Sequence, residues 1–254
     1  MHSLFRGVAV IPVLTIEREA DAVPLARALL DGGLPLLEVT LRTPAALAAI
    51  AAIAQQVPQV VVGAGTVQRP ADVVHACAAG ARFLVSPGMT PELAAAALST
   101  ELPYLPGVAT PSEVMIARDL GISFLKLFPA EAIGGIALLQ ALARVFPGVA
   151  FCPTGGIDER SAANYLTLPN VPMVGGSWMA APRGRGRRRL GDDTPYGRTR
   201  RRYRWAAQPL TYRPPEMSKT PPVENEHSSE ASQATSAAIS STRTNRPIGI
   251  FDSM

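Results

Sequence analysis

Short apolar runs rich in β-branched and aromatic residues recur near Val8, Leu36, Val60, Phe83, Tyr104, Phe124, Val149 and Val171, some 20 to 28 residues apart. Between them lie Ala/Leu-rich segments with helical spacing and polar caps, at 21–30, 44–57, 71–79, 91–98, 111–120, 136–145 and 161–168. Eight strands separated by seven helices predict an α/β fold with a parallel sheet, closed as a (β/α)8 barrel over residues 1–179. An open, doubly wound sheet is the alternative. The absence of a GxGxxG turn counts against it.

Charge divides the chain in two. Residues 1–179 carry 10 Lys and Arg against 13 Asp and Glu, a net of −3, while residues 180–254 carry 14 against 7, a net of +7. The basic balance of the whole chain therefore belongs to its last third, and gives no reason to expect nucleic-acid binding by the first part. Two cysteines, Cys77 and Cys152, are too few for a disulfide framework or a metal site and suit a reducing compartment. Both are expected to be small buried side chains. The apolar run at 7–14 is followed at once by charge, unlike a secretory signal, and no stretch reaches the roughly 20 apolar residues of a membrane helix. A cytoplasmic protein with no membrane partner is the expectation.

In barrels of this kind the chemistry sits at the C-terminal ends of the strands. Lys126 is the only lysine in the first 218 residues, and it interrupts an apolar strand in LKLFPAE at 125–131. Strand alternation turns it inward with Phe124 and Phe128, leaving Leu125 and Leu127 to face the helices. Desolvation disfavours an ammonium, and a neutral amine attacks carbonyl carbon to form a Schiff base. The competing reading is a lysine that reaches solvent from a strand end. In LLEVTLRT at 36–43 the same alternation places Glu38, Thr40 and Arg42 on one face, as a catalytic pair or as a structural one. GAGT puts Thr66 at the rim of the third strand, and SPG puts Pro87 at the end of the fourth. After the seventh and eighth strands come Thr154-Gly155-Gly156 and Gly175-Gly176-Ser177. They offer backbone N–H groups where barrels commonly hold phosphate, unless they are simply two tight turns.

Seven motifs in order, LLEVTLRT at 36–43, GAGTV at 63–67, SPG at 86–88, LPGVATPSE at 105–113, KLFPAE at 126–131, FCPTGGI at 151–157 and GGSW at 175–178, resemble the 2-keto-3-deoxy-6-phosphogluconate (KDPG) aldolase family. That family also includes 4-hydroxy-2-oxoglutarate (KHG) aldolase activity. The resemblance covers residues 7–179 and implies a class I aldolase without metal or cofactor, on a (β/α)8 fold and usually a homotrimer. It implies cleavage of a phosphorylated keto acid to pyruvate and glyceraldehyde 3-phosphate, with KHG or the phosphogalactonate analogue as alternative substrates. Carried over by position, Lys126 is the Schiff-base lysine, Glu38 the proton-transfer carboxylate, and Arg42 with Thr66 the pair that holds the pyruvate carboxylate. Pro87 and Phe128 line the pocket. Thr154, Gly155, Gly156, Gly175, Gly176 and Ser177 fall where the family binds the distal phosphate. A related phosphate-binding barrel, a decarboxylase or synthase, would keep the fold without the Schiff base; the inward lysine between two phenylalanines argues against it.

The resemblance stops after Trp178, where an eighth helix is due. Instead follow GRGRRRLGDD and GRTRRRYRW, with 11 of the 22 arginines between positions 183 and 213. Beyond residue 217 the composition turns to Ser, Thr, Glu and Pro, as in disordered segments. A reading frame shifted near residue 180 in a GC-rich gene accounts for such a tail; a nucleic-acid-binding segment, with Tyr196, Tyr203, Trp205 and Tyr212 among the arginines, is the alternative. Loss of a final barrel helix forgoes roughly 6–15 kcal/mol of apolar burial. The short helix that precedes strand one in the family is also expected to be curtailed, because only six residues precede Gly7.

Overall fold

The computed structural model describes residues 3–180. The tail assigned from the sequence to residues 180–254 lies, from residue 181 onward, outside the described residues. Among the described residues nine strands, all paired in parallel, alternate with seven helices, except that the fifth and sixth strands follow one another directly. The strands are β1 (Val10–Leu14), β2 (Leu36–Thr40), β3 (Val61–Gly65), β4 (Leu84–Val85), β5 (Tyr104–Leu105), β6 (Gly107–Val108), β7 (Phe124–Leu127), β8 (Ala150–Pro153) and β9 (Val174–Gly176). The helices are α1 (Ala22–Asp31), α2 (Ala46–Gln56), α3 (Pro70–Ala78), α4 (Pro91–Leu98), α5 (Pro111–Asp119), α6 (Gly135–Val145) and α7 (Glu159–Tyr165). None of the described helices is long and apolar enough to cross a membrane.

Six strands form one sheet in the order β5-β4-β3-β2-β1-β9 and three form another, β6-β7-β8. A bridge between Thr154 and Gly175 ties the end of β8 to β9. Only Pro106 separates β5 from β6. Proline has no N–H to give to a ladder, so the predicted fifth strand is split there. Its first half pairs with β4 and its second with β7, while the Pro106 carbonyl still accepts from the Lys126 N–H at 2.8 Å. The result is a curled parallel sheet with the helices on its outer face.

Strand alternation sorts the side chains into two cores. Leu37, Val39, Leu84, Leu125 and Leu127 join the helices in the outer core. Ile11, Leu36, Phe83, Val85, Leu105, Phe124, Cys152 and Met173 form an inner cluster on the opposite face. Each large apolar side chain so buried contributes about 1.5–3 kcal/mol. Ahead of β1 a single 3-10 turn, Ser3–Phe5, delivers Phe5 into the inner cluster, edge-on to Phe83 at 5.6 Å and Phe124 at 5.5 Å. Local signals start the helices where the sequence predicts. Thr110 accepts from the Glu113 N–H while the Glu113 carboxylate accepts from the Thr110 N–H, a capping box ahead of α5. Two starts differ by two residues: α2 begins at Ala46 rather than Pro44, and α7 at Glu159 rather than Ser161, where Asp158 accepts from the N–H groups of Arg160 and Ser161.

Candidate active site

Lys126 and Glu38 come from strands 88 residues apart in sequence, and the curl of the sheet brings them together on its inner face. Lys126 Nζ donates to Glu38 Oε1 at 3.2 Å, and the two residues are only 5 % and 1 % exposed. Each charge alone would be costly to bury; together they form a net-neutral pair. Lys126 Nζ also stands 5.3 Å from the centre of the Phe128 ring. Phe124 lies one layer below in the inner cluster, while Leu125 and Leu127 pack outward, as alternation predicts.

Room for the carboxylate is made by a neighbour without a side chain. A Cβ on Gly65, on the adjoining strand β3, would run into Glu38 Oε1 and the carbons behind it. Two residues earlier, a Cβ on Gly63 would strike the Phe83 ring. Both glycines of GAGT therefore clear the inner face, one for the carboxylate and one for the core below it. Reading residues by their chemistry misses this, since glycine offers none. The signal available was the i, i+2 spacing of two glycines on one strand face.

Cys152 is the strand partner of Lys126 across β7 and β8. Burial pushes its thiol up from 9.0 to about 12, so it stays protonated beside the amine and does not compete as a nucleophile. The other cysteine corrects the sequence expectation. Cys77 is exposed, because it falls on the solvent side of α3 while Val73 and Ala76 take the buried side.

The remaining predicted residues divide into rim and loops. Thr40 is fully buried, its hydroxyl donating to the Leu14 carbonyl at 2.9 Å, so it fixes β2 to β1. Arg42 is not on the strand face that alternation assigned to it. The strand ends at Thr40, the Arg42 N–H turns back to the Thr40 carbonyl at 2.8 Å, and the side chain is exposed in the turn. Thr66 is the single described non-glycine residue with positive φ, at 60°, a strained conformation for a β-branched side chain and one found mostly where function demands it. Pro87 is half-buried after β4, and its carbonyl lies where a side chain on Gly107 would go.

Gly155 and Gly156 follow β8 with φ of 102° and 80°, a left-handed pair that only glycine adopts freely. Thr154 fills the space a Cβ on Gly175 would need, and the Trp178 ring does the same at Gly176. The bridge between Thr154 and Gly175 sets the two glycine segments side by side, with Ser177 exposed just beyond. Among the described residues no group of three or more His, Cys, Asp and Glu side chains stands where it could share a metal ion.

The sequence profile described as "Aldolase: KDPG and KHG aldolase" matches residues 1–184. The chain belongs to the KDPG and KHG aldolase family. It is an aldehyde-lyase, as its relatives are. The match ends close to where the family motifs stop in the sequence. The 2-dehydro-3-deoxy-phosphogluconate aldolase of Pseudomonas aeruginosa is 50 % identical over 179 residues, 70 % of this chain and 81 % of that one. Among solved structures, the KDPG aldolase of Zymomonas mobilis ZM4 with 3-phosphoglycerate superposes with a TM-score of 0.71 at 45 % identity, covering 82 % of this chain and 94 % of that one. The Legionella pneumophila KDPG aldolase, with pyruvate captured at low pH as a covalent carbinolamine, gives 0.69 at 43 % identity, covering 81 % and 92 %.

Proposed function

We propose that this aldolase cleaves KDPG to pyruvate and glyceraldehyde 3-phosphate through a Schiff base on Lys126. The buried Lys126–Glu38 hydrogen bond carries the reading: an amine and a carboxylate, 3.2 Å apart and shielded from water, can exchange a proton directly. The carbinolamine with pyruvate in the Legionella relative, 43 % identical to this chain, supports an amine nucleophile in the shared fold. The two sheets are read as one closed (β/α)8 barrel, supported by the Thr154–Gly175 bridge on one side and the β5–Pro106–β6 strand on the other. Residues 1–179 are read as the aldolase unit.

Glu38 takes a proton from Lys126, and the free amine attacks C2 of the substrate. Glu38 gives that proton to the carbinolamine hydroxyl, which leaves as water, and the iminium that results is an electron sink for the bond about to break. A carboxylate at Glu38 then accepts the C4 hydroxyl proton, directly or through one water, and the C3–C4 bond breaks. Glyceraldehyde 3-phosphate departs, the enamine carbon is reprotonated by the same acid, and water releases pyruvate. One carboxylate suffices because each proton it gains is returned. Arg42, from the turn at the end of β2, is the guanidinium that grips the pyruvate carboxylate, with Thr66 on the neighbouring strand end beside it. Pro87 and Phe128 bound the pocket, and Thr154, Gly155, Gly156, Gly175, Gly176 and Ser177 hold the distal phosphate.

Incubation with pyruvate and borohydride, followed by peptide mass mapping, tests the assignment. A reduced pyruvyl adduct on Lys126, absent from a Lys126→Ala variant, is the expected result. A folded protein that forms no adduct there overturns it.

A further inference from the structure

Glu131 and Tyr165 form a hydrogen bond that the reaction scheme above does not use. The Tyr165 hydroxyl donates to Glu131 Oε1 at 2.7 Å, with the tyrosine 1 % exposed. Burial and the adjacent carboxylate both raise the phenol, which keeps it a donor. The two residues bracket the Gly155–Gly156 segment in sequence, and Glu131 packs against it. Glu131 opens the 3-10 turn Glu131–Ile133 that follows the Lys126 strand, and Tyr165 ends the helix that follows the glycine pair.

The backbone explains why that position matters. The Ala130 N–H donates to the Thr154 carbonyl at 2.8 Å, and the Glu131 N–H to the Gly155 carbonyl at 3.1 Å. A trans peptide points its C=O and the next N–H in opposite directions. Anchoring the Thr154 and Gly155 carbonyls on this turn therefore aims the N–H groups of Gly155 and Gly156 away from it. Among the described residues the Gly156 N–H has no acceptor. The stem of Glu131 also lies flat against Gly156: a Cβ there would come within 2.6 Å of Glu131 Cβ and 2.7 Å of Cγ. Glu131 thus meets the loop twice, through its N–H and through its stem, and Tyr165 holds its carboxylate.

We propose that the Glu131–Tyr165 pair is a positioning device for the distal-phosphate loop, holding its N–H groups at a fixed place relative to Lys126. The pair thereby sets the preference for a phosphorylated aldol over the same sugar acid without phosphate. This rests on the reading of Lys126 and of the glycine loop given above. Neither residue touches the reacting atoms, so removing the hydroxyl weakens phosphate binding and leaves imine chemistry intact.

Kinetics of Tyr165→Phe on KDPG and on unphosphorylated 2-keto-3-deoxygluconate test this. Loss of one hydrogen bond to a carboxylate is expected to raise KM for KDPG roughly tenfold, with kcat within about twofold. The value of kcat/KM for the unphosphorylated compound stays the same. Glu131→Gln, which keeps an acceptor oxygen for Tyr165, is expected to behave like the parent, and Glu131→Ala like Tyr165→Phe. Equal losses on both substrates, or an unchanged KM for KDPG in both Tyr165→Phe and Glu131→Ala, overturn the proposal. Borohydride trapping of pyruvate on the parent protein separates the two levels. An adduct on Lys126 with no change in KM defeats only the positioning role; no adduct defeats the aldolase reading, and this inference with it.

Discussion

Gly65→Ala is the substitution that asks most of the site for the smallest chemical change. A Cβ built on Gly65 lies 2.7 Å from Glu38 Cδ, where ordinary contact is 3.4–4 Å. Gly65 sits on a strand paired on both sides, so the side chain rather than the backbone must yield. The carboxyl group retreats by about 1 Å, and a misplacement of that size costs on the order of 10²-fold in rate. The overpacking itself costs about 1–3 kcal/mol. For a domain of this size that is a fall in Tm of about 2–4 °C per kcal/mol, so the fold survives the change. A continuous assay of pyruvate release gives kcat/KM, and a thermal melt shows whether the protein is folded. The expected outcome is a folded variant with kcat/KM down about a hundredfold, because Glu38 no longer meets both Lys126 and the substrate. A folded Gly65→Ala protein within about threefold of the parent would refute the claim that the carboxylate position depends on this gap.

Two further perturbations probe the inner cluster. Phe5→Ala removes the aromatic plug delivered by the N-terminal turn and is expected to cost about 3–5 kcal/mol, read as a lower urea midpoint at unchanged m-value; a loss below about 1 kcal/mol would show that the turn is not part of the core. Cys152 tests the electrostatics beside Lys126. Its folded-state pKa of about 12 lies above the ordinary 9.0, so its neutral form contributes stability that is fully present below about pH 9. That contribution is lost as pH rises from about 9 to about 12, at up to about 1.4 kcal/mol per pH unit. The stability difference between the parent and Cys152→Ala should therefore shrink between pH 8 and pH 10.5 in urea titrations, and a constant difference would contradict a buried, protonated thiol.

Much of the layout is legible because it is written in periodicity. All seven predicted helices exist, and α4 matches its predicted bounds of 91–98. Each predicted strand lies within a few residues of an observed one. The errors have local causes. Pro106 has no N–H, which splits the fifth strand, and Asp158 is a better cap than Ser161, which starts α7 two residues early. Arg42 shows the limit of alternation: extrapolating a period of two past Thr40 assumes that the strand continues, and whether it does depends on a turn bond from the Arg42 N–H to the Thr40 carbonyl.

The candidate site residues found from sequence are those that are anomalous where they stand. Lysine in FLKL and glutamate in LLEVT are expensive among apolar neighbours, and that expense signals a purpose before any partner is known. Gly65 and Tyr165 carry no such anomaly. A glycine near a strand end and a tyrosine in a helix are ordinary until their neighbours are in place, and those neighbours, Glu38 and Glu131, lie 27 and 34 residues away. Their roles exist only as distances. A site of this kind is thus read from sequence through its charged members and completed by structure through the residues that make space for them or hold them still. Gly65→Ala and Tyr165→Phe separate these two kinds of support: the first moves the carboxylate proposed to transfer protons and is expected to lower kcat, the second loosens the loop proposed to hold the phosphate and is expected to raise KM.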